Sequence, residues 1–351
     1  MIHIGSAAIN TNVLLAPMAG CTDLAFRLVA RECGASFAFF EMIDSNSVKY
    51  GPARKTASIL KTNDDDRPIA GQVLGDDPDA MLVAARRIIE LASPVFIDIN
   101  AACPVKKAIK KRSGAYLIKH PDVLYKILDK LVPNLPVPVT VKIRTGFEMT
   151  NTEGIADIAR SLESRGAAAI FVHGRTRAQG YSGDIDYASI KAIKDSVKIP
   201  VFGSGNIFSP ELAKAMLDAT GCDGVMAARG ALGNPWLLKN IESYLATGCV
   251  EPEPDIDSRI DVIKRHIEYL ELFRNPRAAG RIGFMRKVVM WHTKYFRRAA
   301  RLREKISLVK SYEEMIKLVD SLKLEREARV GQENKDHIDN SFNCDDINIA
   351  L

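Results

Sequence analysis

The sequence predicts an α/β fold, a closed (β/α)8 barrel followed by a C-terminal all-helical segment, and three observations carry that expectation. Apolar runs of strand length recur eight times between residues 13 and 228, amphipathic stretches of helical period separate them, and the composition changes abruptly after Val250. Near-continuous apolar strands alternating with helices mark a parallel sheet, and eight such units match a closed barrel of roughly 250 residues. An open doubly wound sheet is the competing arrangement. It would place G-x-G-x-x-G after its first strand, where this chain has Ala16-Pro17-Met18-Ala19-Gly20.

In chain order, the strands are expected at 13–18, 37–41, 68–74, 95–100, 138–144, 168–173, 200–204 and 224–228. Between the third and fourth, Pro78–Ala92 sets Ala80, Met81, Val83, Ala84, Ile88 and Leu91 near a 3.6-residue period, which predicts an amphipathic helix. The stretch 121–132 opens with Pro121-Asp122, a helix-start pair. After the eighth unit, Glu251-Pro252-Glu253-Pro254 reads as a linker, and 256–329 carries helical patterning without a strand signal. The expected division is a catalytic barrel over 1–250, a helical domain over 255–330, and a disordered tail over 331–351, polar and without a periodic apolar face.

Composition narrows the class. With 351 residues and 47% hydrophobic content the chain has ample material for a core, so disorder along its length is excluded. Six cysteines lie at positions 21, 33, 103, 222, 249 and 344, with no C-x-x-C pair and no metal-ligand spacing. That argues against a disulfide scaffold or a zinc module and fits a reducing cytoplasm. Residues 1–12 lack a basic stretch followed by an apolar core, and no window holds about 18 uninterrupted apolar residues, so neither export nor membrane spanning is expected.

Polar residues at strand ends point to the site, because chemistry in such a barrel gathers where strands give way to loops. Gln72, Asn100, Lys142, Arg144 and His173 each close or nearly close an apolar run. Amide, ammonium and imidazole groups converging on one mouth are costly to desolvate without a partner, which predicts a ligand rich in carbonyls and ring nitrogens. The last two loops predict a phosphate site: Gly203-Ser204-Gly205-Asn206 after strand seven, and Ala228-Arg229-Gly230 after strand eight. A phosphate at one end and a polar heterocycle at the other describe flavin mononucleotide, with Lys142 beside its pyrimidine end. Cys103 follows Asn100 by three residues, and a thiol with an ordinary pKa of about 8.5 stays protonated at neutral pH, as a general acid must.

The charge also has a pattern. Against a net charge of +6 for the whole chain, residues 274–310 hold twelve basic residues and one acid, Glu304. Phe284, Trp291, Tyr295 and Phe296 lie among those cations, so the segment predicts RNA binding, with Arg286, Lys287, Lys294, Arg297 and Arg298 as contacts.

Several motifs together resemble the bacterial tRNA-dihydrouridine synthases, most closely the B-type subfamily. They are Leu15-Ala16-Pro17-Met18-Ala19-Gly20, Asn100 with Cys103-Pro104-Val105-Lys106-Lys107, Val141-Lys142-Ile143-Arg144, Val172-His173-Gly174-Arg175, and Gly230-Ala231-Leu232-Gly233-Asn234-Pro235-Trp236. The resemblance spans about residues 4–300 and implies an FMN-binding TIM barrel with a helical tRNA-binding domain, reducing the uracil C5=C6 bond with NADPH. It implies Ala16, Pro17 and Met18 against the flavin, Gln72, Lys142 and His173 around it, and Ser204, Gly205, Asn206, Ala228 and Arg229 at its phosphate. It implies Cys103 as proton donor, Asn100 orienting the uracil, and Arg144 or Arg177 on the base or an RNA phosphate. No metal, membrane or protein partner is implied. This chain departs from the family pattern at Ala101-Ala102 (for Met-Gly), Ser204-Gly205-Asn206-Ile207 (for Asn-Gly-Asp-Ile) and Ala228 (for Gly). The alternatives are another FMN barrel oxidoreductase acting on a small pyrimidine or enone, and an RNA-binding homologue without catalysis.

Overall fold

The computed structural model describes residues 1–274, 278–296 and 298–327. A two-stranded antiparallel hairpin, β1 (Ile2–Ile4) and β2 (Ala7–Ile9), opens the chain. Eight parallel strands follow: β3 (Val13–Leu15), β4 (Ala38–Asp44), β5 (Ile69–Leu74), β6 (Ile97–Asn100), β7 (Val139–Arg144), β8 (Ile170–His173), β9 (Val201–Ser204) and β10 (Gly224–Ala227). They pair in chain order and β10 closes onto β3, so the barrel expected from the sequence is the observed fold. Two strand boundaries differ by three residues, the others by two or fewer. β3 stops at Leu15 because Pro17 has no N–H for the ladder, which frees Ala16, Pro17 and Met18 as loop; β4 runs on to Asp44 through a bulge between Phe39 and Met42.

Inward-facing side chains divide the barrel into two levels. Phe37, Phe39, Phe96, Phe171 and Phe202 fill the end where the strands begin, at ring separations of 5.1–6.1 Å. Ile4 and Ile9 of the hairpin pack with them and close that end. The hairpin was not expected, since two three-residue strands are too short to show a period of two. At the opposite end the register puts Gln72 beside Asp98, Asp98 beside Thr140, and Asn100 beside Lys142.

Outer helices fill each crossover. Pro78–Ala92 forms as expected, capped by the Asp77 side chain, and the helix expected at 121–132 runs over Pro121–Leu131. The helix Leu24–Glu32 starts at Asp23, whose carboxylate accepts from Phe26 N–H at 3.0 Å. After the helix Leu237–Thr247, four further helices, Ile256–Phe273, Ala278–His292, Ala299–Leu308 and Tyr312–Glu327, complete the described chain. The first two pack on Leu24–Glu32 through Phe26, whose ring lies 5.7 Å from His266 and 5.8 Å from Trp291. The tail expected at 331–351 lies outside the described residues, as do Arg277, Arg297 and Cys344.

Candidate active site at the barrel mouth

A cavity of about 400 Å³ opens where the strands end, within the roughly 300–1,000 Å³ of small-molecule sites. Ala16, Pro17 and Met18 line one wall; Gln72, Asn100, Lys142, Arg144 and His173 rise from β5 to β8; Ser204, Gly205, Asn206, Ala228 and Arg229 bound the far side. Cys103 stands in the wall at 8% exposure. The structure thus gathers all but one of the expected barrel residues around one space.

The wall from β5 to β7 is a continuous hydrogen-bonded row. Gln72 Nε2 donates to Asp98 Oδ2 at 2.7 Å, Thr140 Oγ1 donates to Asp98 Oδ1 at 2.8 Å, and Asn100 Nδ2 donates to Gln72 Oε1 at 2.8 Å. Lys142 Nζ and His173 Nε2 are buried and without a hydrogen-bond partner. Burial pushes the Lys142 ammonium below the usual lysine range, and the Asp98 carboxylate works against it. Burial also pushes Asp98 up, and holds His173 well below the usual histidine range, helped by the charges of Arg144, Lys142, Arg175 and Arg229. His173 is therefore neutral at pH 7.

The Cys103 loop is held from two sides. Asn100 Oδ1 accepts the backbone N–H groups of Ala102 at 3.0 Å and Cys103 at 2.9 Å. Behind the thiol, Gly114 has a φ of +65°, and a Cβ there would lie 2.8 Å from the Cys103 Cβ, so only glycine lets the loops approach this closely. Burial raises the Cys103 pKa above its ordinary value, outweighing the Val105 N–H that stabilises the thiolate. The group is a thiol at neutral pH.

The far end of the cavity carries two guanidinium groups. Arg175 donates to Gly183 O at 3.0 Å and to Asn206 Oδ1 at 2.9 Å, and its Nη1 is buried without a partner. Arg229 lies over the Tyr181 ring at 5.2 Å and the Phe208 ring at 5.7 Å. Between them Gly205 has a φ of +124°, and a Cβ there would fall 2.4 Å from Ile185. Two cations flanking this turn form a pocket for an anion.

Other expected residues lie elsewhere or are already engaged. Arg177 does not line the cavity; it lies over the Phe147 ring at 5.0 Å and 3.7 Å from Glu148. Arg175, in the loop that follows β8, lines the cavity instead. Arg144 lines the cavity but donates to the backbone oxygens of Ala102 at 2.6 Å, Thr176 at 2.9 Å and Gly180 at 2.7 Å, so it ties three loop segments together. Asp98, Thr140 and Tyr181 were not singled out from the sequence. For Asp98 the signal was a carboxylate inside the apolar run 95–100.

The basic helical segment differs most from expectation. Arg286 donates to Val309 O at 2.8 Å, Arg281 pairs with Glu271 at 3.2 Å, and Arg274 pairs with Asp23. Lys287 Nζ donates to Gly20 O at 3.1 Å, reaching the loop that follows β3. Arg286 and Lys287 are therefore each engaged within the fold. Lys294 lies 5.1 Å from the Tyr295 ring, Arg298 is exposed, and Arg297 is outside the described residues. One of the two acids, Asp23, is 251 residues from its arginine in sequence, out of reach of a local charge count. Arg298, Arg301, Lys305 and Lys310 are exposed, and further exposed cations gather beyond Cys103, at Lys106, Lys107, Lys110, Lys111 and Arg112.

A parallel barrel with a cationic pocket beside its last two strands and buried donors over strands β5 to β8 belongs to the class that binds a phosphorylated planar ligand at its mouth. Comparison with known proteins narrows this: a family model described as dihydrouridine synthase (Dus) matches residues 14–329, and the chain belongs to that family. The tRNA-dihydrouridine synthase B of Pseudomonas aeruginosa is 38% identical over 292 residues, 83% of this chain and 86% of that one. That of Vibrio cholerae is 35% identical over 316 residues, 90% of this chain and 96% of its own length. Among solved structures, histamine dehydrogenase from Rhizobium sp. 4-9 aligns with a TM-score of 0.57 at 13% identity, over 76% of this chain and 50% of that one. The old yellow enzyme from Trypanosoma cruzi aligns with a TM-score of 0.52 at 10% identity, over 73% of this chain and 93% of that one. At such identities these two likenesses establish the fold.

Proposed function

We propose that the protein is a flavin-dependent tRNA-dihydrouridine synthase, which reduces the C5=C6 bond of uridines in tRNA with NADPH as the source of hydride. The observation that carries this reading is the pair of unpartnered buried nitrogens, Lys142 Nζ and His173 Nε2, facing a cavity that a protonated thiol also borders. Buried donors need acceptors, and the carbonyl-rich edge of a flavin supplies them. Flavin mononucleotide fits the residues present: Gln72, Lys142 and His173 with Ala16, Pro17 and Met18 would hold the ring, and Arg175 and Arg229 with the Ser204 to Asn206 turn would hold the phosphate. When bound, the flavin supplies the hydride that adds at C6 of the uracil.

The chain's own residues do the rest. Cys103 holds a proton on Sγ and gives it to C5; the raised thiol pKa keeps that proton in place through neutral pH. Asn100 holds the Cys103 loop through its carbonyl oxygen. Arg144 fixes the loops on either side of the opening through three backbone carbonyls. The uridine enters flipped out of its stack, since no duplex fits a cavity of about 400 Å³. We assign 1–250 to catalysis and 255–330 to a helical RNA-binding unit, and add the exposed cations from Lys106 to Arg112 to the RNA surface.

A small-pyrimidine reductase would leave those exposed cations beside Cys103 without a use, and a non-catalytic RNA binder would leave the cavity's buried donors without one. The test is to incubate purified protein with NADPH and unmodified tRNA and to map dihydrouridine. Reduction of free uridine at the rate of tRNA, or no reduction by a protein that holds flavin, would overturn the reading.

A further inference from the structure

Asp98 is fully buried inside the barrel and takes no part in the chemistry derived above. Both of its oxygens accept: Oδ2 from Gln72 Nε2 at 2.7 Å, and Oδ1 from the Thr140 hydroxyl at 2.8 Å. Burial raises the Asp98 pKa to about 7 while Lys142 favours the charged form, and above that pH the acceptor-only carboxylate fixes the Gln72 amide, with nitrogen toward it and oxygen away from it. That oxygen accepts from Asn100 Nδ2 at 2.8 Å and so fixes the second amide. The Asn100 carbonyl then faces the backbone N–H groups of Ala102 and Cys103, which only donate. The two ends agree, and the row from Asp98 to Cys103 has one arrangement.

We propose that Asp98 is a positioning residue that sets the hydrogen-bond polarity of the mouth. Held this way, Gln72 and Asn100 have N–H groups to offer a ligand, because their oxygens are occupied along the row; the second Asn100 N–H rests 3.5 Å from Met42 Sδ, a weak acceptor that a ligand oxygen displaces. The site therefore selects rings whose edges accept, carbonyl oxygens and unprotonated ring nitrogens, over rings that present an amino group. The same row holds the loop that carries Cys103. Its bearing on turnover rests on the acid role proposed for Cys103; its bearing on the loop does not.

An exchange of groups between positions 72 and 98 tests this. Gln72→Glu alone faces one carboxylate with another; at pH 9, where the alkylation below is read and the pair has lost its shared proton, the row breaks. In the double variant, Asp98→Asn with Gln72→Glu, an amide again faces a carboxylate between β5 and β6, and position 72 still accepts from Asn100. The readout is the rate at which iodoacetamide alkylates Cys103 in flavin-free protein, followed by mass spectrometry of its peptide. Gln72→Glu is expected to raise that rate tenfold or more, and the double variant to return it to within threefold of the native rate. The double variant is also expected to keep a reduced kcat, since position 72 no longer donates to the ligand. A native rate in Gln72→Glu, a tenfold faster rate in the double variant, or a double variant that fails to fold would each overturn the proposal. Should Gln72→Glu not fold, the double variant against native protein decides alone. Because alkylation involves neither flavin nor RNA, its outcome stands apart from that of the proposed activity.

Discussion

The two ends of the barrel are built on the same eight strands, yet they behave as different materials. Where the strands begin, five phenylalanines and the hairpin isoleucines fill the interior. Where they end, amides, an ammonium and an imidazole line an open space, with a carboxylate buried behind them. On β6 the change takes two residues, from Phe96 to Asp98, and on β8 from Phe171 to His173. The fold therefore needs only one closed end, and each strand hands its last inward position to chemistry.

Substitutions at the two ends should separate activity from stability. The largest effect belongs to the mouth: Cys103→Ala should lower uridine reduction by about 10²–10⁴, the usual contribution of a positioned acid, while flavin binding and its reduction by NADPH persist. Single-turnover mixing of the reduced enzyme with tRNA measures this, and an unchanged rate would remove the thiol from the mechanism. Next comes the closed end. Phe171→Ala, from an enclosed ring cluster, should cost about 3–5 kcal/mol in urea unfolding, with the residual folded protein still binding flavin. A loss below 1 kcal/mol would mean that this end is not closely packed.

A third measurement carries the contrast to the C-terminal helices, where two buried imidazoles are as unpartnered as Lys142 and His173 at the mouth but do not line its cavity. His266 Nε2 and His292 Nδ1 are without hydrogen-bond partners, and burial holds His266 down to about 4 and His292 well below its ordinary value. A folded pKa below the unfolded one makes stability complete above about pH 6.5 and drains it as pH falls toward 4. For His266 alone the loss between pH 7.5 and pH 5 is roughly 2 kcal/mol. Urea unfolding at the two pH values should show it, and His266→Phe should diminish the difference; equal stability at both would refute it. The smallest effect is expected at the surface. Lys110→Glu with Arg112→Glu should weaken tRNA binding and lower its salt slope by about one per cation, with kcat retained. An unchanged slope would place the RNA elsewhere.

How much of this was legible varied with the range of the interactions. The strand count was, because parallel strands buried on both faces read as continuous apolar runs. Gln72, Asn100, Lys142 and His173 were, because each interrupts such a run at its end. Arg175 and Arg177 both follow the end of β8 at His173, and no strand alternation separates the one that lines the cavity from the one that does not. Asp98 was visible as a carboxylate among isoleucines, but its role depends on neighbours 26 and 42 residues away. The basic helices were least legible: Arg274 is neutralised by Asp23, 251 residues distant in sequence.

The Lys287 ammonium on Gly20 also answers how separable the two halves of the chain are. Removing everything after residue 250 would strip the turn behind Met18 of its ammonium and leave Asp23 without its guanidinium, while the Glu41 carboxylate on Gly20 N–H remained. An excised barrel would then be a vessel with a loosened wall. The helices serve the chemistry as a brace, whatever they also do for the nucleic acid.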